Sequence, residues 1–258
     1  MIRRMDAPPL AGRTMVVTGA SSGIGRGIAL AAARAGADLA LTWHANEAGA
    51  RETATNIEAL GRRVVISRMD LGDADSIQAL AQDASTAFGR IDAWVNNAGA
   101  DIVTAGGAVL SRLDKLDLLL RVDLRGTMIA SWRAAELMAI QEQGGVIINI
   151  SWDHVVSGMQ GTNPQLYAAA KGGVMAFSKA LARSVAPRVR VNIVAPGWIE
   201  TAFGAGVDRD IYQSVAASTP MKRWGTPADV AGAVVFLASP AASFVTGETI
   251  NVGGGVVM

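Results

Sequence analysis

The sequence predicts a doubly wound α/β domain: a mostly parallel, seven-stranded sheet with helices on both faces. Three observations carry that expectation. Short apolar, β-branched runs recur along the chain without in–out alternation, as strands buried on both faces do. Alanine-rich segments of helical period lie between them, so strand and helix alternate. A glycine-rich turn joins the first strand to the first helix.

In chain order, strands are expected at 15–18, 39–42, 64–67, 93–96, 146–150, 189–194 and 249–252. Helical segments include 25–35, 76–88, 168–186 and 228–238. Right-handed crossovers between parallel strands leave few topologies. The 258 residues sit at the upper size of one compact domain, and no linker, repeat or low-complexity stretch divides them. One domain is therefore expected over 1–258, with 1–12 as an N-terminal extension. The uncharged stretch 230–247 is long enough to raise a membrane span. Pro240 and the Ser, Thr and Gly residues after it break it into a buried helix, a turn and a loop.

Composition excludes several classes. Basic and acidic residues number 23 and 22, with no polybasic run, so neither nucleic acid nor an anionic membrane has electrostatic support. Residues 1–13 carry Arg3, Arg4, Asp6, Pro8 and Pro9 and no apolar stretch of the signal-peptide kind. Cysteine is absent, which removes disulfides and thiol chemistry and fits a reducing compartment; a cytoplasmic protein is expected. With two histidines and no cluster of ligand spacing, no metal site is expected.

The first strand runs into Thr18-Gly19-Ala20-Ser21-Ser22-Gly23-Ile24-Gly25. Three glycines there permit a tight turn, close backbone approach to a pyrophosphate, and close helix–strand packing. The helix that follows presents free amides and a partial positive charge to phosphates. This reads as a dinucleotide-binding turn of a Rossmann fold, although a glycine-rich turn alone is a weak motif. The second strand ends in Thr42-Trp43-His44-Ala45-Asn46, with no carboxylate for a free ribose 2′-hydroxyl. Thr42, His44 and Asn46 could meet a 2′-phosphate, so NADP is preferred over NAD. Ser22, where a basic residue would have strengthened that preference, keeps NAD open.

Carbonyl reduction needs a proton donor at the substrate oxygen, and the reverse reaction needs a base there. Tyr167-Ala168-Ala169-Ala170-Lys171 places Tyr and Lys four apart on one helix face, in a chain with two tyrosines. A nearby ammonium lowers a phenol's pKa from about 10 toward neutrality. An isolated Tyr-x-x-x-Lys is, by itself, more often an ordinary surface pair.

Together, Thr-Gly-x-x-x-Gly-Ile-Gly at 18–25, Asn96-Asn97-Ala98-Gly99, Tyr167…Lys171, Pro196-Gly197 and the tail Val245-Thr246-Gly247 to Gly255 resemble the short-chain dehydrogenase/reductase family. The resemblance covers the chain after its first dozen residues and points to members of the 3-oxoacyl-[acyl-carrier-protein] reductase-like and glucose dehydrogenase-like kinds. It implies a nicotinamide-dependent oxidoreductase acting on a small carbonyl or secondary alcohol. By position it implies that Gly19, Ser21, Ser22, Gly23, Ile24 and Gly25 hold the pyrophosphate, with His44 at the ribose. Asp70 and Leu71 would meet the adenine, and Asn97, Ala98 and Gly99 would flank the adenosine ribose. Lys171 would hold the nicotinamide ribose and tune Tyr167. Pro196, Gly197, Ile199 and Thr201 would grip the carboxamide, with 202–222 as a substrate lid. A homo-oligomer, tetramer or dimer, is implied as well.

Two positions depart from the family pattern. The serine expected after the fifth strand falls on Trp152 when counted from the strand and on His154 when counted back from Tyr167. Ser151 is the nearest hydroxyl, one residue early. Asp123 stands where asparagine is usual; an ionised carboxylate accepts but cannot donate. The preferred expectation is a working reductase or dehydrogenase with Tyr167, Lys171, Asp123 and His154 as its catalytic set and His154 or Asp153 in place of the serine. A dinucleotide-binding or regulatory protein with little turnover, or another carbonyl chemistry on the same scaffold, remains open. Trp152 and Trp198 are expected as pocket walls, and Trp94, Trp132 and Trp224 as core or interface. Gly158, Met159, Gly161 and Leu166 suggest a roomy, largely apolar cleft.

Overall fold

The computed structural model describes residues 7–201 and 207–257. Seven strands form one wholly parallel sheet in the order β3-β2-β1-β4-β5-β6-β7. They are β1 (Thr14–Val17), β2 (Asp38–Trp43), β3 (Val64–Arg68), β4 (Ala93–Asn96), β5 (Gly145–Ile150), β6 (Val189–Pro196) and β7 (Thr249–Val252). The expected strands are all present, with ends displaced by up to two residues. β1 and β4 are buried at every position, which is why their sequences do not alternate.

The larger helices are α1 (Gly23–Arg34), α2 (Glu47–Ala59), α3 (Ala74–Phe88), α5 (Arg112–Leu119), α6 (Thr127–Ala139), α8 (Thr162–Val185), α9 (Arg209–Ser218) and α10 (Pro227–Ala238); α4 (Ala105–Ala108) and α7 (His154–Ser157) are single turns. One core lies between the sheet and α1 and α10, built on Ile28, Ala29, Val230 and Val234. The other lies under α3, α6 and α8, around Ile77, Leu80, Trp94 and Met138. Leu10, read from sequence as part of an extension, is 1% exposed in the first core, and its amide donates to the Ala35 carbonyl.

α10 is stopped by Ser239 and Pro240, and no described helix is long and apolar enough to cross a membrane. α8 starts six residues before the predicted helix, at Thr162, so Asn163 and Pro164 belong to its first turn. Between α5 and α6 the chain makes a π-helical segment, Leu120–Gly126. Such wide turns are uncommon and gather at functional sites; this one carries Asp123.

The strand order reverses between β1 and β4, each of which leads into a separate loop above the sheet. Ligands bind at such a switch point, beyond the carboxyl ends of the strands.

Candidate active site

The glycine turn is built for close approach. Gly19 has φ +68°, and a Cβ there would lie 2.9 Å from the Ala98 Cα. A Cβ on Gly25 would lie 2.1 Å from the Gly19 carbonyl oxygen. The Thr18 hydroxyl accepts from the amides of Asn97 and Ala98, each at 3.0 Å, and the Asn97 carboxamide donates to the carbonyls of Thr18 and Gly19. Asn97 and Ala98 thereby clasp the turn to β4. Arg26 donates to the Ser21 carbonyl from behind, at 2.9 Å. The Ser22 side chain does not cap α1, leaving the first amides of that helix without a side-chain acceptor. These features fit a pyrophosphate.

At the adenosine end the expected polar set is reduced. Thr42 is 1% exposed, and its hydroxyl accepts from the Gly19 amide at 3.0 Å. Asn46 caps α2 by accepting from the Gly49 amide. Thr42 is thus spent on the fold, which corrects its reading as a 2′-phosphate ligand, whereas Asn46, exposed, engages only its Oδ1 in the cap and keeps its NH2 for a 2′-phosphate. His44 remains, exposed, with Nε2 4.0 Å from Asp70 Oδ2 and its carbonyl accepting from Arg68 Nε at 3.4 Å. Asp70 Oδ1 accepts from the Gly72 amide, and Leu71 is buried against the Gly126 backbone.

A cavity of about 680 Å³ opens beside this turn. Its wall joins Ile24 of the glycine turn, Tyr167, and the predicted carboxamide loop of Pro196, Gly197, Ile199 and Thr201. A Cβ on Gly23 would sit 3.4 Å from Thr201 Cγ2, so the two loops meet. Trp152 and Trp198 are pocket walls as expected. Trp224, read as core or interface, is 3% exposed and also reaches the cavity wall, where its ring lies between Trp198 and Tyr212. Trp94 is fully buried, and Trp132 is 45% exposed, edge-on to Phe177.

Tyr167 faces the cavity from α8, with Lys171 one turn further along. The Lys171 ammonium lies 5.5 Å from the tyrosine ring centre, 3.0 Å from Asp123 Oδ2, and donates to the Ile150 carbonyl at 3.3 Å. Asp123 Oδ1 accepts from the Ala100 amide at 2.7 Å. The missing Cβ of Gly99 makes room, since one there would be 2.9 Å from Asp123 Oδ2. Burial opposes the charge on Lys171, but Asp123 and Tyr167 outweigh it and hold the lysine's pKa above its usual value. Burial raises the pKa of Tyr167; Lys171 pulls it down, and Asp123 pushes it up again. The net direction is upward, opposite to what the Tyr–Lys spacing alone suggests.

The position after β5 holds no free hydroxyl. Ser151 lines the cavity, but its Oγ donates to the Lys171 carbonyl at 2.9 Å. Trp152 occupies the expected serine position and packs edge-on to Tyr167, with ring centres 5.4 Å apart. His154 is not among the cavity-lining residues; it stacks on Trp152 at 5.0 Å and lies edge-on to Trp198 at 6.4 Å, with Nδ1 2.6 Å from Asp153 Oδ1. Asp153 is fully buried; burial raises its pKa, and the contact with His154 counters part of that rise. Its Oδ2 has no hydrogen-bond partner among the described residues and abuts the backbones of Gly197 and Gly253.

The lid expected over 202–222 is described only from Val207 onward, since 202–206 lie outside the described residues. α9 is fastened through Tyr212, which stacks on Trp224 with ring centres 4.9 Å apart and donates its hydroxyl to Glu200. No group of three metal-ligating side chains occurs among the described residues.

Comparison with known proteins agrees with this geometry. The family model described as enoyl-(acyl carrier protein) reductase matches residues 19–257. A 3-oxoacyl-[acyl-carrier-protein] reductase of Synechocystis is 36% identical, over 96% of this chain and 98% of its own. A short-chain dehydrogenase of Burkholderia cenocepacia solved with NADP superposes with TM-score 0.86 at 31% identity, covering 96% of this chain and 99% of that one. A 7α-hydroxysteroid dehydrogenase complexed with NADH and 7-oxo glycochenodeoxycholic acid gives TM-score 0.89 at 30% identity, covering 99% and 98%. The chain belongs to the short-chain dehydrogenase/reductase family. It is an oxidoreductase of that family, acting between a carbonyl and an alcohol with a nicotinamide dinucleotide.

Proposed function

We propose that the protein is an NADP(H)-preferring carbonyl reductase in which a protonated Tyr167 donates to the substrate oxygen. The observation that carries this is the buried Asp123–Lys171 pair beside Tyr167. Asp123 compensates the lysine charge that would otherwise favour the phenolate, so the tyrosine keeps its proton, which is the form reduction requires. A reduced nicotinamide held against Ile24, Gly197 and Thr201 would supply the hydride. Tyr167 donates its proton to the oxygen as charge develops there. Lys171, anchored by Asp123 and Ile150, steadies the phenolate that Tyr167 becomes. Trp152 holds the tyrosine ring from the side, and Asp153 with His154 backs Trp152, so His154 acts through packing.

NADP is favoured because β2 ends without a carboxylate and because Arg68 lies beside His44. Exposed Trp132 on α6, beside Phe177 of α8, supports a homo-oligomer through those helices, a dimer or tetramer. The cell compartment is proposed to be the cytoplasm, consistent with a cysteine-free chain.

The test is oxidation of NADPH by the purified protein with a panel of apolar ketones. Tyr167→Phe should lower turnover about 10²–10⁴-fold while leaving NADPH binding within a few-fold. Equal turnover by the variant would remove Tyr167 from the chemistry. Tight NADPH binding without turnover on any ketone would instead favour the binding-protein reading.

A further inference from the structure

Lys115 sits on α5 and is 8% exposed, yet it has no carboxylate partner among the described residues. Its ammonium donates to the Ala108 carbonyl at 3.2 Å and to Asn163 Oδ1 at 3.3 Å. An ammonium has only donors, so the Asn163 amide must turn its oxygen toward Lys115 and its NH2 away. Asn163 lines the cavity, four residues before Tyr167 on α8, and its Nδ2 has no protein partner among the described residues. Burying a lysine in order to orient one side-chain amide costs free energy, and a purely structural amide would not need it.

The neighbouring polar groups on the wall are committed elsewhere. Asp101 can only accept, and its oxygens already take the amides of Val103 and Thr104 and the Thr104 hydroxyl. Ser151 gives its hydrogen to the Lys171 carbonyl, and the Trp224 indole donates to the Tyr212 carbonyl. Apart from the Thr201 hydroxyl on the predicted carboxamide loop and the Trp152 indole N–H, the remaining wall is apolar: Ile102, Val103, Met159, Pro164 and the indole faces.

We infer that Asn163, oriented by Lys115, is a specificity-determining donor that binds a second oxygen acceptor on the substrate. One helical turn separates it from Tyr167, a rise of about 5–6 Å. The substrate class is thus a ketone with an apolar, ring-bearing body and a carbonyl, ester or carboxylate oxygen a few bonds beyond the reacting carbon. This deepens the proposed reductase reading and rests on it for the identity of the reacting end, but the binding claim is testable without turnover.

Because Trp152, Trp198 and Trp224 line the cavity, tryptophan fluorescence of the enzyme–NADP⁺ complex reports ligand dissociation constants. The probes are hexanophenone and its isostere with a methyl ester carbonyl three bonds beyond the ketone carbon. Wild type should bind the ester about three- to tenfold more tightly, the range of one good hydrogen bond. Asn163→Leu should erase that ratio while leaving hexanophenone within about twofold. Lys115→Met should shrink it, since the amide is then free to turn. Trp152→Phe, which deletes the indole N–H and keeps a ring, should preserve the ratio. An unchanged ratio in Asn163→Leu, equal loss for both ligands, or no saturable binding of either would overturn the inference. Failure of NADPH turnover with intact discrimination would count against the reductase reading alone.

Discussion

At the scale of single residues, the site departs from its family's pattern at two places, and the structure gives each a physical consequence. Trp152 places a ring against Tyr167 where a hydroxyl was expected, so in the proposed mechanism the tyrosine would protonate the substrate oxygen without that second donor. Asp123 replaces an amide with a charge that meets Lys171 at 3.0 Å. Lys171→Met should leave a buried carboxylate without its cation and cost about 3–5 kcal/mol of stability, read by denaturant unfolding. His154→Ala should lower turnover modestly by loosening Trp152 and should leave the pH profile unchanged; a displaced pH profile would give the imidazole a direct proton role. Tyr167 and Lys171 were legible in sequence because their spacing is local, four residues on one helix. The direction of the tyrosine's pKa was not, because it depends first on burial in the folded site and then on Asp123, brought in from 44 positions away by a π-turn that local pattern does not announce. Asn163 was hidden for a related reason: its partner Lys115 lies 48 residues distant.

At the scale of elements, the strands were readable because both faces of the sheet are covered, so most strand residues are apolar and do not alternate. Side chains that look free in sequence were the harder part. Thr42 and Asn46 sit at a strand end where they invite a ligand, but the fold buries Thr42 on the glycine turn and uses the Asn46 oxygen to cap α2. The loop after β5 is joined to the loops after β6 and β7 more tightly than their sequences suggest, since a Cβ on Gly197 would lie 2.5 Å from Asp153 Oδ2. A Cβ on Gly253 would lie 2.1 Å from Asp153 Oδ2, so Gly253→Ala should destabilise by about 1–3 kcal/mol, lowering Tm by roughly 2–4 °C per kcal/mol in a chain of this size. Gly232, exposed within α10 with nothing near its absent Cβ, should behave oppositely. Gly232→Ala is expected to stabilise by about 0.5–1 kcal/mol, because alanine loses less backbone freedom in a helix. A calorimetric comparison of the two variants checks both signs.

At the scale of the whole molecule, the sheet collects residues from distant segments at one switch point: the glycine turn after β1, Asp123 before α6, Trp152 after β5, Tyr167 on α8 and the loop after β6. The fold class and the position of that cleft follow from the strand–helix alternation. The electrostatics within it follow from tertiary approach and had to be seen. Association belongs to this scale too. Sedimentation should give a mass well above the 26.6 kDa of one chain, and Trp132→Glu should lower it if α6 and α8 form the contact.

The central claim, that burial holds Tyr167 protonated and Asp123 reinforces it by offsetting Lys171, is tested most directly by the pH dependence of alcohol oxidation with NADP⁺ in wild type and Asp123→Asn. Oxidation needs the phenolate, so its rate rises as pH passes the tyrosine's pKa. Removing the carboxylate's charge removes a cause that raises that pKa, and the rising limb should move to lower pH in Asp123→Asn. A limb that stays in place, or moves to higher pH, would contradict the account.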